Sequence, residues 1–365
     1  MADAAPAGVP DPTALSEVFR VYEVEVIGDR VRYYGQLTGD EETALRTLAP
    51  QFRERGYRVN LQHETGEYVL VAQERSTGVD GVPWLNIILF VVTVLSTLYA
   101  GSRWYGVDLA AEPLGLLRAW PFALSVVGVL AVHEFGHYLL SRYHDVEATL
   151  PYFIPLPNLL GTLGAVIRLK DNMPSRRALF DIGVSGPLAG LAVTVVVTAI
   201  GVSLPPVAAT DAALVGGVEL GYPPLVQIVA ALLGQPLAYG PGQTVNPVVV
   251  GGWVGAFVTF LNLLPVGQLD GAHVTRALVG ERVRTLGRLV PVALLGLAGY
   301  LVAFEGGRSA QLWVVWGVLS LLFLRAGTAT PIDETSVDRK RQVVGAVTLL
   351  LGVLCFTPTP VTITV

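Results

Sequence analysis

Cysteine is nearly absent from this chain of 365 residues: the only one, Cys355, lies in an apolar run. No intramolecular disulfide can form and no thiolate cluster can hold a metal, so any metal site must be built from His, Asp or Glu. Charge is scarce as well. Asp, Glu, Lys and Arg make up 15% of the residues, where soluble domains carry roughly a quarter. That excludes a chain made only of independently folded soluble domains. Lysine occurs only at Lys170 and Lys340, and the formal net charge is −5. No basic surface is left on which a nucleic acid could be held by counterion release. The glycines and prolines follow no repeat, which excludes collagen-like and low-complexity readings. The first apolar run begins near residue 84 with no basic n-region or cleavage site before it, so it is not read as a signal peptide.

What is present is hydrophobic: 52% of the residues, with a mean hydropathy of +0.56. A bilayer core about 30 Å thick is crossed by about 20 apolar helical residues. Seven segments qualify, at about 84–100, 119–141, 179–202, 247–266, 286–304, 310–325 and 342–357. Arg and Lys occur in alternate loops: at 142–178, 276–288 and 339–341, and nowhere in 203–246. This alternation fits a seven-span chain with its N-terminus in the cytoplasm. Leu225 to Leu233 is too short to span and reads as a surface or re-entrant helix.

The region before the membrane has a different character. Residues 1–16 are rich in Ala, Pro and Asp and read as disordered. Val18–Val26 and Val31–Leu37 alternate around Gly28-Asp29, a hairpin signal. A helix follows from about Asp40 to Arg55, with Leu45, Leu48 and Phe52 on one face and Gly56 past its end. Two short strands flank Glu64-Thr65-Gly66. The expected fold is thus a polytopic α-helical membrane protein of six to seven transmembrane helices, with a small α+β cytoplasmic domain at residues 17–76. The membrane domain is expected to cover 84–357 and a C-terminal tail 358–365.

The second span ends in Val132-His133-Glu134-Phe135-Gly136-His137. Residues four apart share a helix face, so both imidazoles can reach one ion, with Glu134 beside them. His-Glu-x-x-His on a helix is the zinc metalloprotease arrangement. Two imidazoles and a carboxylate in hydrocarbon are costly unless paired or facing a wet cavity. The fourth span runs in the same direction and ends Asn262-Leu263-Leu264-Pro265-Val266-Gly267-Gln268-Leu269-Asp270-Gly271. Pro265 stops or kinks the helix, which presents Asp270 at the depth of the histidines as a third ligand; taken alone, it could be a turn residue or a helix cap.

His133-Glu134-Phe135-Gly136-His137, followed by Asn262-x-x-Pro265-x-x-x-Leu269-Asp270-Gly271, resembles the site-2 protease family of intramembrane zinc metalloproteases. Gly161-Thr-Leu-Gly164-Ala-Val-Ile167 and Asp181-Ile-Gly-Val-Ser-Gly186-Pro187-Leu-Ala-Gly190 extend the resemblance, which covers roughly residues 119–290. It implies one zinc ion per chain held by His133, His137 and Asp270, with Glu134 as general base and Asn262 contacting the intermediate. The layout is similar to plant chloroplast and microbial members with a small N-terminal soluble region; nothing resembles an inserted PDZ domain. Thr149–Leu156 and Thr162–Leu169 read as a membrane-associated β-hairpin whose free edge could pair with an unwound substrate helix. That reading makes Gly161, Thr162, Leu163, Gly164, Ala165 and Val166 the substrate-binding residues.

Smaller signals carry less. Gly183, Gly186 and Gly190 read as a close helix–helix contact, and Asp181 as an interfacial or capping acid. His273 reads as a surface histidine rather than one near the metal, and His144 and His63 as solvated. The reading is an endopeptidase of the cell membrane, acting near its cytoplasmic face on membrane-anchored proteins, with no nucleic-acid partner and self-association left open. The competing classes are a transporter, against which no internal repeat is visible, and a non-catalytic metal-binding scaffold, which would have no use for Glu134.

Overall fold

The structure is a computed structural model that describes residues 8–64, 66–75, 81–170, 173–209, 217–307 and 309–363. Of the regions read above, residues 1–7, Thr65, 76, 171–172, 210–216 and 364–365 lie outside the described residues.

The N-terminal domain consists of β1 (Phe19–Ile27), β2 (Arg30–Leu37), α1 (Glu41–Glu54), β3 (Tyr57–Glu64) and β4 (Glu67–Glu74). Its antiparallel sheet has the order β1-β2-β4-β3. Gly28, at φ 60°, makes the first turn, where a side chain would be strained. The Asp40 carboxylate caps α1 by accepting from the Thr43 N–H at 2.9 Å. Phe52 and Leu48 from α1 bury against Phe19, Tyr33 and Leu70 of the sheet. Residues 8–16 correct the expectation of disorder. Pro12–Leu15 form a 3-10 turn capped by Asp11, Leu15 is fully buried, and the Tyr33 hydroxyl donates to the Pro10 carbonyl at 3.0 Å. Val9 and Leu15 join the domain core, and burying such side chains contributes about 1.5–3 kcal/mol each, which the Ala- and Pro-rich composition around them concealed.

The second part contains α2 (Trp84–Trp104), α3 (Trp120–Tyr143), β5 (Tyr152–Pro155), β6 (Thr162–Val166), α4 (Arg176–Ser203), β7 (Val207–Ala208), β8 (Val218–Leu220), α5 (Pro224–Leu232), β9 (Gln243–Thr244), α6 (Val248–Asn262), α7 (Asp270–Val279), α8 (Val283–Phe304), α9 (Ala310–Ala326), α10 (Arg339–Leu354) and β10 (Val361–Ile363). Helices occur at all seven positions read as spans. Among the described residues, four stretches are long and apolar enough by length and composition to cross a membrane: α2, the stretch ending in α3, α4, and the stretch from α7 through α8. The apolar helices α6 and α9 are shorter. With 15 residues, α6 is about 22 Å long at 1.5 Å per residue; it starts after Pro247 and stops before Pro265. The C-terminal tail is not loose: β10 pairs with β8, and the Trp313 indole N–H donates to the Pro358 carbonyl at 2.7 Å.

Helices α3, α4 and α6 form the centre, and α7 packs on α4. Glycines allow these approaches. A Cβ at Gly136 of α3 would press on the Ser185 carbonyl of α4. The hairpin β5–β6 is antiparallel, with a register break at Ile154/Pro155 and a bridge between Ala148 and Leu169 at its base. Its strands are shorter than the sequence suggested, chiefly at the base, where the ladder stops at Tyr152 and Val166 next to Pro151, which has no N–H to donate.

The N-terminal domain docks where α3 ends. Arg53 donates to the carbonyls of His144 at 3.0 Å and Asp145 at 2.5 Å. Arg75 donates to the same Asp145 carbonyl and lies 3.2 Å from its carboxylate. Asp145 sits at φ 56°, a left-handed conformation that Asp tolerates, and turns the chain off α3. Ile332, from the segment before α10, packs on the domain core.

Candidate metal centre

His133 and His137 lie one turn apart on α3, and both are buried. Asp270 is the first residue of α7, whose N-terminal end favours a negative charge. His133 Nε2 and His137 Nε2 are 3.2 Å apart. The Asp270 Oδ2 atom is 3.2 Å from the first and 3.1 Å from the second. A tetrahedral ion with ligand bonds near 2.0–2.1 Å holds its donor atoms about 3.3 Å from one another, so the three atoms already stand at metal-binding spacing.

The tautomer also fits. His137 Nδ1 is 2.8 Å from the Ile182 carbonyl on α4. A carbonyl only accepts, so Nδ1 carries the proton and Nε2 presents its lone pair inward. The glycines of α4 make room for both rings. A Cβ at Gly186 would overlap the His137 imidazole, and one at Gly190 would come within 2.9 Å of His133 Nδ1. Gly183 faces His273 and Val274 of α7. The sequence reading of these glycines as a helix contact was incomplete, since two of the three face the imidazoles.

The Glu134 side chain is buried beside the triad, and Ile167, just past β6, lines the same cavity. The Asn262 amide nitrogen is 3.1 Å from His133 Nε2. A cavity of about 170 Å³ opens on these groups and is lined also by Ala165, Val166, Ile167, Gln268 and His273. A larger cavity of about 620 Å³ lies between α5 and β8. Among the described residues lining it, Glu219 is the only carboxylate and there is no histidine, so the chemistry belongs to the smaller one.

Of the hairpin residues, Ala165 and Val166 reach the cavity. Gly161 does not: at φ 80° it packs on the backbone of Ser96 and Thr97 in α2. The Thr162 hydroxyl is used within the hairpin, donating to the Ile154 carbonyl at 2.9 Å and accepting from the Gly164 N–H at 3.0 Å. Leu163 is 65% exposed. Ile167, Gln268 and His273 line the site although sequence reasoning did not select them. His273 is buried, not on the surface; its place one turn after Asp270 was the available signal. Asp181 is more than a capping acid. It receives the Arg341 guanidinium at 2.7 and 2.8 Å and lies 2.9 Å from His144 Nε2, tying the ends of α3, α4 and α10 together. His144 is therefore half-buried and engaged rather than solvated.

The sequence profile described as peptidase family M50 matches residues 121–298. Among similar proteins is the "Probable zinc metalloprotease EGY2, chloroplastic" of Arabidopsis thaliana, 31% identical over 69% of this chain and 44% of the relative. Another is the "Probable zinc metalloprotease EGY1, chloroplastic" of the same plant, 30% identical over 75% and 53%. The protein of that name from Oryza sativa subsp. japonica is 28% identical over 91% and 63%. The chain thus spans about half the length of the two Arabidopsis relatives. No solved structure matches it.

Proposed function

The chain belongs to peptidase family M50 through residues 121–298, and from that premise we propose that it is an intramembrane zinc endopeptidase. It cuts membrane-anchored proteins within or beside a transmembrane helix. The observation that carries the reading is the meeting of three ligand atoms from α3 and α7, each within 3.2 Å of the other two, with Glu134 next to them. His133, His137 and Asp270 would hold the metal, and the names of the relatives support zinc. When bound, zinc supplies Lewis acidity, which turns water into a nucleophile near neutral pH and polarises a carbonyl oxygen.

Glu134 takes a proton from the attacking water and returns it to the leaving nitrogen. The Asn262 amide donates to the oxyanion developing on the substrate carbonyl. Among the described residues β6 has one ladder partner, β5, so its outer edge can hold an unwound substrate in extended form. Ala165 and Val166 at the cavity support that role. Activity is therefore expected to vanish on dialysis against a chelator and to return with stoichiometric zinc, read as cleavage of a model transmembrane substrate by the purified chain. Undiminished cleavage by metal-free protein would end this reading.

All seven helices cross the membrane, α6, α9 and α10 as the short ones. The domain packed on 144–145 and 332 lies on the side of the Arg- and Lys-bearing loops, which is the cytoplasmic side of a cell membrane by the positive-inside rule. A cysteine replacing Gln235 is expected to react with an impermeant thiol reagent added to intact cells, and one replacing Glu54 to react only after lysis. The reverse pattern would invert the topology.

A further inference from the structure

The sheet of the N-terminal domain faces the base of the β5–β6 hairpin across a cleft of about 630 Å³. Arg30 and Arg58 enter it from β2 and β3, Arg168 and Lys170 from the segment just past β6, and Asn60 and Gln62 add amides. Among the described residues lining the cleft there is no carboxylate. Behind it, Glu147 pairs with Arg58 at 3.4 Å and Lys170 at 2.7 Å, and Asp29, held by the Gln73 amide at 2.6 Å, stands near Arg30 and Arg58, two acids beside four cations. In a chain whose net charge is −5, this is a concentration of positive charge in a concave place, where the field on an incoming anion is strongest.

The cleft does not end blindly. Arg168 and Leu169 also line a neighbouring cavity of about 500 Å³. That cavity in turn shares Ile167, Leu169, Gln268 and His273 with the metal site. The three cavities thus lie in series about shared residues, from the sheet, past the hairpin base, to Glu134. We propose that the cationic cleft is a subsite for an acidic, extended stretch of the substrate polypeptide, flanking the segment that is cut. This inference rests on the protease reading for its context. This arrangement argues for a polypeptide rather than a small anion: a chain laid along β6 is led into the cleft, and amides beside the guanidinium groups suit a peptide backbone as well as its carboxylates.

The test reads binding without cleavage, on the full chain in detergent carrying Glu134→Gln. A fluorescent Asp/Glu-rich peptide and its Asn/Gln analogue are titrated by anisotropy. The acidic peptide is expected to bind at least about tenfold more tightly, since loss of two charge pairs near 0.7 kcal/mol each amounts to that factor, and added salt is expected to weaken it. Arg30→Gln with Arg168→Gln should bring the two peptides to parity, whereas Arg30→Lys with Arg168→Lys keeps the preference. Equal affinity of both peptides for the Glu134→Gln protein, or a preference that survives the double Gln change, would overturn the proposal. So would displacement of the peptide by equimolar inorganic phosphate, which would assign the cleft to a small anion. None of these outcomes depends on whether the chain hydrolyses peptides, so failure here is separable from failure of the protease reading.

Discussion

Replacing Glu134 with glutamine is expected to leave one zinc per chain and to lower cleavage of a transmembrane substrate by about 10²–10⁴-fold, the usual contribution of a positioned general base. The change is nearly isosteric. The Gln side chain fills the same buried space beside His133 and His137, so the cavity keeps its shape and only proton transfer is lost. His133, His137 and Asp270 are untouched, so metal analysis should not distinguish the variant from the parent. Asn262→Ala offers the contrast. Its amide lies 3.1 Å from His133 Nε2, and loss of one oxyanion donor is expected to lower the rate by about 10²–10³-fold. Full activity in the Gln variant would transfer the base to another residue, and buried His273, which lines the same cavity, would be the first to examine.

The second large effect is expected at a residue with no side chain. Gly186→Ala should lower zinc affinity by about 10–100-fold or more, the range seen when groups that support metal ligands are disturbed. The added methyl would overlap the His137 ring. That ring is held from the other edge by its 2.8 Å bond to the Ile182 carbonyl, and α3 cannot back away without leaving the contact at Gly136. Metal content at fixed free zinc checks this. Gly128→Ala is the control: on the same α3, its Cβ would meet nothing within 4 Å, and its metal content should equal that of the parent. Equal zinc in the Gly186→Ala protein would mean that the imidazole does not stand where the structure puts it.

Local signals carried the sequence reading a long way. The α3 ligands follow from helical spacing alone, and Asp270 from a proline that stops α6 short of it. The strands and helix of the N-terminal domain follow from alternation, a Gly turn and an Asp cap. What stayed hidden depends on partners distant in the chain. Leu15 looks like part of an Ala- and Pro-rich tail until it joins Phe19, Tyr33 and Phe52 in one core. Asp181 looks like a helix-end acid until Arg341 arrives from 160 positions away. Glycine is ambiguous in the same way. Gly161 and Gly186 are both compact points in an apolar run, yet one seats a loop on α2 and the other vacates space for an imidazole. Nothing in the one-dimensional pattern separates the two uses.

The contact at Asp145 joins two parts of the chain. The carbonyls of His144 and Asp145, just past the helix bearing both imidazoles, are covered by Arg53 of α1 and Arg75 after β4. Those three charged hydrogen bonds tie the end of the ligand helix to the N-terminal domain, so loss of the two arginines would be felt first where the chain leaves α3.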